Sequence, residues 1–283
     1  MYTLNCKGRL LVVNEPIVMG IINATPDSFY SESRVASIDA VLRKTEQMIK
    51  DGADIIDIGG QSTRPNSKRI PANEESERVI PVVEAIHKNF PQTIISIDSF
   101  YAQVVKNAVA AGASIVNDIS AGTIDDTLIS TVASLKVPYV LMHMKGDPQT
   151  MQQNPTYNNV VLDVFDFLNR KINQLHSAGI VDIIVDPGFG FGKTTEHNFE
   201  LLNGLDFFRQ LSKPVLVGLS RKATVYKTLG ITSGEALNGT TVLNTIALLN
   251  GASILRVHDV KEAKQAIQLV KALTKKESIF DAP

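Results

Sequence analysis

The amino-acid sequence predicts an α/β protein built as a single (β/α)8 barrel of the TIM-barrel class, preceded by a short N-terminal β-hairpin. Three observations carry this prediction: eight short apolar runs along the chain, amphipathic helical segments alternating with them, and a recurrent glycine joint where a helix hands over to the next strand. Strict alternation of strand and helix gives a parallel sheet, and eight units favour closure into a barrel over an open doubly wound sheet. The length of 283 residues suits one such domain, which typically needs ~250. One domain over 1–283 is therefore expected, with 1–14 as the hairpin extension.

Taken in order, the segment 2–13 has a Lys7-Gly8 turn between two apolar arms and reads as the hairpin. The barrel strands are expected at 17–22, 54–58, 94–97, 114–116, 138–142, 182–185, 214–219 and 253–257. They are rich in Ile, Val and Leu and show little alternation, as parallel strands buried on both faces should. Helical stripes run over 38–50, 74–89, 160–178, 237–250 and 260–275; the second sets Val79, Val82, Val83 and Ile86 against Glu77, Arg78, Glu84 and Lys88. Gly52, Gly112 and Gly251 each stand in a Gly-Ala joint before a strand, with Gly179 as a looser version, and supply left-handed helix C-caps.

Bulk properties narrow the function. A net charge of −1 and the lack of any Lys/Arg cluster leave no electrostatic case for a nucleic-acid partner. The single cysteine, Cys6, cannot form an intrachain disulfide and fits a reducing compartment. No signal peptide is visible at the N-terminus, and no window approaches the ~20 apolar residues of a membrane span. A cytoplasmic enzyme without a membrane partner is expected.

Active sites of this fold form at the carboxyl ends of the strands. Here those ends carry Asn23, Asp57, Asp98, Asn117 with Asp118, His143, Asp186, Ser220-Arg221-Lys222, and Arg256 with His258. Helix capping or turn formation would explain any one of them. Eight converging on one rim point instead to a ligand. Asp98, Asn117 and Asp186 suit a flat heterocycle with several N–H donors, a 2-amino-4-oxo pterin or a guanine. Thr63, Arg64, Lys222, Arg256 and His258 supply donors for an anion, most simply phosphate. The rim thus divides into a heterocycle pocket and an anion pocket.

Two motifs are rejected. The stretch 186–195 resembles a P-loop, but Gly188 to Gly192-Lys193-Thr194 is one residue short of G-x-x-x-x-G-K-[ST], and its G-x-G-x-G run is not a dinucleotide fingerprint. It reads instead as a glycine-rich loop that brings backbone close to a flat ligand, with Phe189 and Phe191 for stacking. The five histidines form no zinc-binding set. His87 and His176 belong on helix surfaces and His197 in a first helical turn, whereas His143 is open to a structural or a functional reading.

The segments 19–29 (MGIINATPDSF) and 57–65 (DIGGQSTRP), followed by Ser96-Ile97-Asp98-Ser99, Val116-Asn117-Asp118-Ile119, Met142-His143-Met144, the glycine loop with Lys193, Gly218-Leu219-Ser220-Arg221-Lys222 and Arg256-Val257-His258-Asp259-Val260, resemble the signatures of dihydropteroate synthases in family order. The resemblance spans nearly the whole chain. It implies condensation of 6-hydroxymethyl-7,8-dihydropterin diphosphate with 4-aminobenzoate in folate synthesis, releasing pyrophosphate. By the same resemblance Asp98, Asn117, Asp186 and Lys222 hold the pterin, while Thr63, Arg64, Arg256 and His258 contact the diphosphate. Asn23 helps bind Mg²⁺, and Ser220, Pro65 and Phe189 border the aminobenzoate pocket. Asp98, Asp186, Lys222, Arg256 and His258 form the catalytic set, and a homodimer and a sulfonamide target are implied as well. The chain departs from the family at Tyr30-Ser31-Glu32-Ser33-Arg34, where a Ser-Asp-Gly-Gly turn is common, and at Gln61 and Asn66, where Glu and Gly are frequent. Those departures leave loop closure and sulfonamide sensitivity open. Two other readings stand beside this one: a methyltetrahydrofolate-dependent corrinoid methyltransferase, which has no need of the cationic set, and a non-catalytic binding barrel, which would have an eroded rim.

Overall fold

The computed structural model describes residues 1–24, 34–61, 69–147, 151 and 154–274. The N-terminal hairpin pairs β1 (Tyr2–Cys6) with β2 (Arg9–Val13), Cys6 standing opposite Arg9. Its two-residue turn has φ of 55° at Lys7 and 87° at Gly8, the left-handed pair whose twist matches that of the strands.

Eight parallel strands follow: β3 (Ile17–Asn23), β4 (Ile55–Gly59), β5 (Ile94–Asp98), β6 (Ile115–Asp118), β7 (Tyr139–Met142), β8 (Ile183–Asp186), β9 (Leu216–Val217) and β10 (Ile254–Val257). Their order is β8-β7-β6-β5-β4-β3-β10-β9. The ring is joined between its ends by a parallel bridge from Val185 to Val215 and by the Val185 N–H donating to the Pro214 carbonyl. The seventh barrel strand is shorter than the expected 214–219: Pro214 has no N–H for the ladder, and pairing ends at Val217 before Gly218.

The helices are α1 (Arg34–Lys50), α2 (Ala72–Asn89), α3 (Ala102–Ala111), α4 (Leu128–Leu135), α5 (Val160–Ser177), α6 (Thr195–Asn203), α7 (Ala223–Leu229), α8 (Leu237–Leu249) and α9 (Val260–Thr274). The five expected stripes all lie on helices. The four helices that periodicity did not single out, α3, α4, α6 and α7, have 10, 8, 9 and 7 residues, too few turns for a stripe to stand out. All four glycine joints have positive φ, from 89° at Gly179 to 128° at Gly112.

Strand periodicity separates two shells of core. Ile55, Ile94, Ile115, Val140, Ile184, Leu216 and Ile254 cluster with Ile17 and Met19 inside the barrel, where Leu4, Cys6, Leu11 and Val13 of the hairpin close the amino-terminal mouth. The alternate residues, such as Ile56, Ile58, Ile95, Ile97, Val116, Leu141 and Val185, pack outward against the helices. Continuing each inward row toward the carboxyl end brings Asn23, Asp57, Asp98, Asn117, Asp186 and Arg256 to one mouth. The hairpin plugs the opposite one.

Candidate active site at the carboxyl rim

At the centre of the rim stands a guanidinium between two carboxylates. Arg256, from β10, donates through Nε to Asp57 Oδ2 at 2.7 Å and through Nη2 to Asp98 Oδ2 at 2.6 Å. Asn117 Nδ2 donates to the same Asp57 oxygen at 3.0 Å. Adjacent strands place these groups: Gly59 is paired with Asp98, and Asp98 with Asn117. Asp57 is fully buried, and its Oδ1, like the Ser96 hydroxyl, has no hydrogen-bond partner among the described residues. Burial pushes the Asp98 carboxyl up to about 7, with Asp57 and Asp118 adding to the rise against the pull of Arg256 and Lys222. Burial works against the Arg256 charge, yet Asp57 and Asp98 hold its pKa above the ordinary value.

Asp186 and Lys222 form the neighbouring sector. Asp186 Oδ1 accepts the Gly188 N–H at 2.7 Å, and burial raises its pKa against the opposing pull of Lys222 and Arg256. Lys222 Nζ donates to the Phe189 carbonyl at 2.6 Å and lies 4.7 Å from the centre of the Phe191 ring. Burial lowers its pKa to about 8, with Asp186 resisting and Arg256 assisting.

Ser220 and His258 close the third side. The Ser220 hydroxyl accepts the backbone N–H of His258 at 3.1 Å and stands 2.9 Å from His258 Nδ1. A hydroxyl both donates and accepts, so this contact ties the ring to the turn through Nδ1 and leaves Nε2 facing away from Ser220. Burial and the nearby Arg256 and Lys44 charges lower the His258 pKa to about 4, so this ring is neutral at pH 7. One residue further along both segments that follow the strands, Arg221 makes a two-pronged ion pair with Asp259, each bond 2.9 Å, and its Nη1 donates to the Ser233 and Gly234 carbonyls. The ends of β9 and β10 are thus braced twice, at 220–258 and at 221–259.

Several expectations change in detail. The two pockets are not separate: Arg256, expected on the anion side, is bonded to Asp57 and Asp98, so the sectors share it. Phe189 is fully buried in the shell between strands and helices and presents only its carbonyl to the rim, so its ring offers no stacking face. Phe191, packed with Phe100, Ile119 and Met142, lies under Lys222 instead. The Ser220 hydroxyl is committed to His258. Asn23 ends its strand at the rim with its side chain exposed. Thr63, Arg64 and Pro65 lie outside the described residues.

Sequence reasoning gave no role to Asp57, Lys193, Arg221 or Glu75. Asp57 was visible as a strand end, and its inward position in the two-residue alternation was the signal. Glu75 on α2 is fully buried and accepts from Gln61 Nε2 at 3.2 Å and Ser99 Oγ at 3.1 Å; Gln61 Oε1 in turn accepts the Ile70 N–H at 3.2 Å. Gln61 and Ile70 flank the second loop, so this set of bonds ties its two ends together. Burial lifts the Glu75 pKa to about 7. His197 sits in the first turn of α6 as expected, in a capping box with Thr194, and His87 and His176 are exposed on helices.

Among the described residues no three His, Cys, Asp or Glu side chains converge on a possible metal position. Asn23 offers one amide oxygen at the rim. A single amide fits Mg²⁺, which keeps several waters and completes its shell with substrate phosphates rather than with a protein cage.

A family model described as pterin binding enzyme matches residues 19–258. The dihydropteroate synthase of Haemophilus influenzae is 42% identical over 271 residues, covering 95% of this chain and 98% of the relative. The solved structure of Xanthomonas albilineans dihydropteroate synthase with 4-aminobenzoic acid superposes with a TM-score of 0.88 at 38% identity, covering 97% of this chain and 98% of that one. The same enzyme in complex with 7,8-dihydropteroate gives a TM-score of 0.87 at 37% identity, covering 97% and 100%.

Proposed function

This chain belongs to the family of pterin-binding enzymes, and from that premise we propose how its rim divides the work of the dihydropteroate synthase reaction. The enzyme is a transferase: it condenses 6-hydroxymethyl-7,8-dihydropterin diphosphate with 4-aminobenzoate to give 7,8-dihydropteroate and pyrophosphate in folate synthesis. The assignments that follow are our reading of the residues.

Asp186 and Asn117 take the hydrogen-bonding edge of the pterin, with Lys222 and Asp98 beside it. The Asp57–Arg256–Asp98 array carries this reading, because it joins carboxylates suited to a cationic pterin to a guanidinium suited to the diphosphate. His258, neutral and with Nε2 facing away from Ser220, donates to the diphosphate, and Thr63 and Arg64 of the second loop add further donors. The aminobenzoate lies toward that loop, bordered by Pro65 and by the turn that carries Ser220 and the Phe189 backbone.

The substitution is dissociative. Charge develops on the leaving oxygens, where Arg256 and His258 neutralise it. Positive charge develops on the pterin, next to Asp98 and Asp186, whose carboxylates favour it electrostatically. The Asn23 amide would hold Mg²⁺, which would supply charge neutralisation at the leaving group. The aminobenzoate nitrogen then attacks the methylene carbon, and no side-chain nucleophile is needed. The loops after β3 and β4 exclude water from the cation.

Two further assignments belong to this reading. A homodimer forms through C-terminal helices; Val242, Ile246 and Leu249 of α8, 50%, 38% and 47% exposed, lie at i, i+4 and i+7 as one apolar stripe. The enzyme acts in the cytoplasm, in keeping with the lack, among the described residues, of any helix long and apolar enough to cross a membrane. The test is a pair of variants. Asp186→Asn should weaken pterin binding by about tenfold or more, the order of one charged hydrogen bond, and leave pyrophosphate binding alone unchanged. Arg256→Ala should weaken pyrophosphate binding and, through the freed Asp57 and Asp98, pterin binding to a smaller extent, and equal loss of both ligands in each variant would overturn the division of roles.

A further inference from the structure

Lys193 follows the glycine-rich loop, is 2% exposed, and has no part in the roles assigned above. Its Nζ donates to His143 Nδ1 at 2.9 Å, to the Gly188 carbonyl at 2.9 Å and to the Phe191 carbonyl at 3.1 Å. The His143 carbonyl lies 3.4 Å from the same Nζ, so three carbonyls and an imidazole nitrogen ring the group, a setting that favours its ammonium form against burial. His143 fits that arrangement. It lies in the outward row of β7, its ring meets Phe167 edge-on at 4.9 Å, and burial together with Lys193 and Lys145 drives its pKa far below the ordinary value. The imidazole is therefore neutral, with a lone pair on Nδ1.

The loop around this ion has no slack. A Cβ on Gly188 would run into the His143 carbonyl oxygen, and one on Gly192 into that of Lys145, and both glycines hold positive φ. Lys222 takes the Phe189 carbonyl at 2.6 Å, so two ammonium groups bind three of the loop's carbonyls, those of residues 188, 189 and 191. Asp186 is tied to the same loop through the Gly188 N–H.

We propose that Lys193 is a positioning residue of the pterin pocket: its buried charge clamps the glycine-rich loop and keeps the Asp186 carboxylate ionised to accept the N–H edge of the pterin. The inference rests on the assignment of Asp186 to the pterin. The charged and titratable groups that face this pair are His143 and Lys145 after β7, Lys222 after β9 and Arg256 on β10, with Asp57 and Asp98 bonded to Arg256 behind it. Burial favours the protonated Asp186, and Lys222, Arg256 and Lys193 oppose it. Burial also pushes Lys193 down to about 7, while Asp186 pulls it back up. Asp186 thus holds up the Lys193 charge, while Lys193 adds to the larger pulls of Lys222 and Arg256 on Asp186.

The experiment measures binding of 6-hydroxymethyl-7,8-dihydropterin diphosphate, and separately of inorganic pyrophosphate, by calorimetric titration from about pH 5 to about pH 9. Lys193→Met should weaken binding of the pterin diphosphate about tenfold near neutral pH and move the acid limb of that binding up by about one pH unit, the same factor expressed as a pKa. Pyrophosphate binding should stay unchanged. His143→Leu removes an acceptor but not the charge, so it should weaken pterin binding and leave the acid limb in place. Should Lys193→Met fail to fold, Lys193→Gln, which keeps donors for the carbonyls without the charge, must show the same displacement. An unmoved acid limb in a folded Lys193 variant overturns the proposal. A wild-type protein that binds pyrophosphate but no pterin diphosphate overturns the assignment of Asp186 on which it rests.

Discussion

Removing Arg256 should cost stability as well as activity, and the two losses should be separable. Arg256→Leu leaves Asp57, which is fully buried, and Asp98, with 15% side-chain exposure, without their cation. Breaking a buried ion pair from one side typically costs about 3–5 kcal/mol, because the remaining charge is left uncompensated. For a chain of 283 residues that corresponds to a fall in Tm of about 5–8 °C. The loss should depend on pH with a definite sign. Asp98 in the folded protein is already raised to about 7, so its contribution is fully present below the unfolded carboxylate value near ~4 and fades as pH rises through the folded one. Without Arg256 the folded value rises further. The deficit relative to wild type is therefore largest above about pH 7 and shrinks as acid protonates Asp98. Urea unfolding of both proteins at about pH 8 and about pH 5.5 measures it. Adding Asp57→Asn to Arg256→Leu removes one uncompensated charge and should return about half of the loss, while turnover stays abolished. Equal stability of Arg256→Leu and wild type at pH 8, or turnover restored in the double variant, would refute this account of the array.

Two more predictions follow from the same geometry. Ser220→Ala removes the hydroxyl hydrogen-bonded to His258 Nδ1. Turnover should fall about fivefold to tenfold, the worth of one net hydrogen bond, while the His258 pKa stays low in an NMR titration because burial and the Arg256 and Lys44 charges set it, and Ser220→Thr should restore turnover. Glu75 is raised to about 7 by burial, so its contribution to stability is present below its unfolded value and is lost as pH rises through about 7. Glu75→Gln should flatten that dependence, gaining about 1–3 kcal/mol on wild type between about pH 5 and about pH 8 in denaturant titrations, and an unchanged slope would show that Glu75 does not carry it.

The barrel was legible in the sequence because its strands are unbroken apolar runs and its helices carry long stripes. What stayed hidden was short: helices of fewer than three turns, and a strand cut to Leu216–Val217 between a proline and a glycine. The site was legible as a set of strand ends but not as a geometry. Two-residue alternation sorts those ends, sending Asp57, Asp98, Asn117, Asp186 and Arg256 inward with the buried Ile55, Ile94, Ile115, Ile184 and Ile254, and Asp118 and His143 outward with Val116 and Leu141. Asp118 accordingly accepts from the outward Tyr139 hydroxyl at 2.6 Å, and His143 accepts from Lys193. Pairwise choices among several cations and carboxylates could not be read from spacing, since Arg256 lies 199 residues from one partner and 158 from the other. Lys193 drew notice only through a rejected phosphate-loop match, and its acceptors on His143, Gly188 and Phe191 reveal what it holds.

The central claim is that this rim performs the condensation, and one assay tests it most directly. Purified protein is given 6-hydroxymethyl-7,8-dihydropterin diphosphate, 4-aminobenzoate and Mg²⁺, and pyrophosphate and dihydropteroate are followed together. The two products should form in equal amounts, and both should be lost in Asp186→Asn. Folded wild-type protein that yields neither would contradict it.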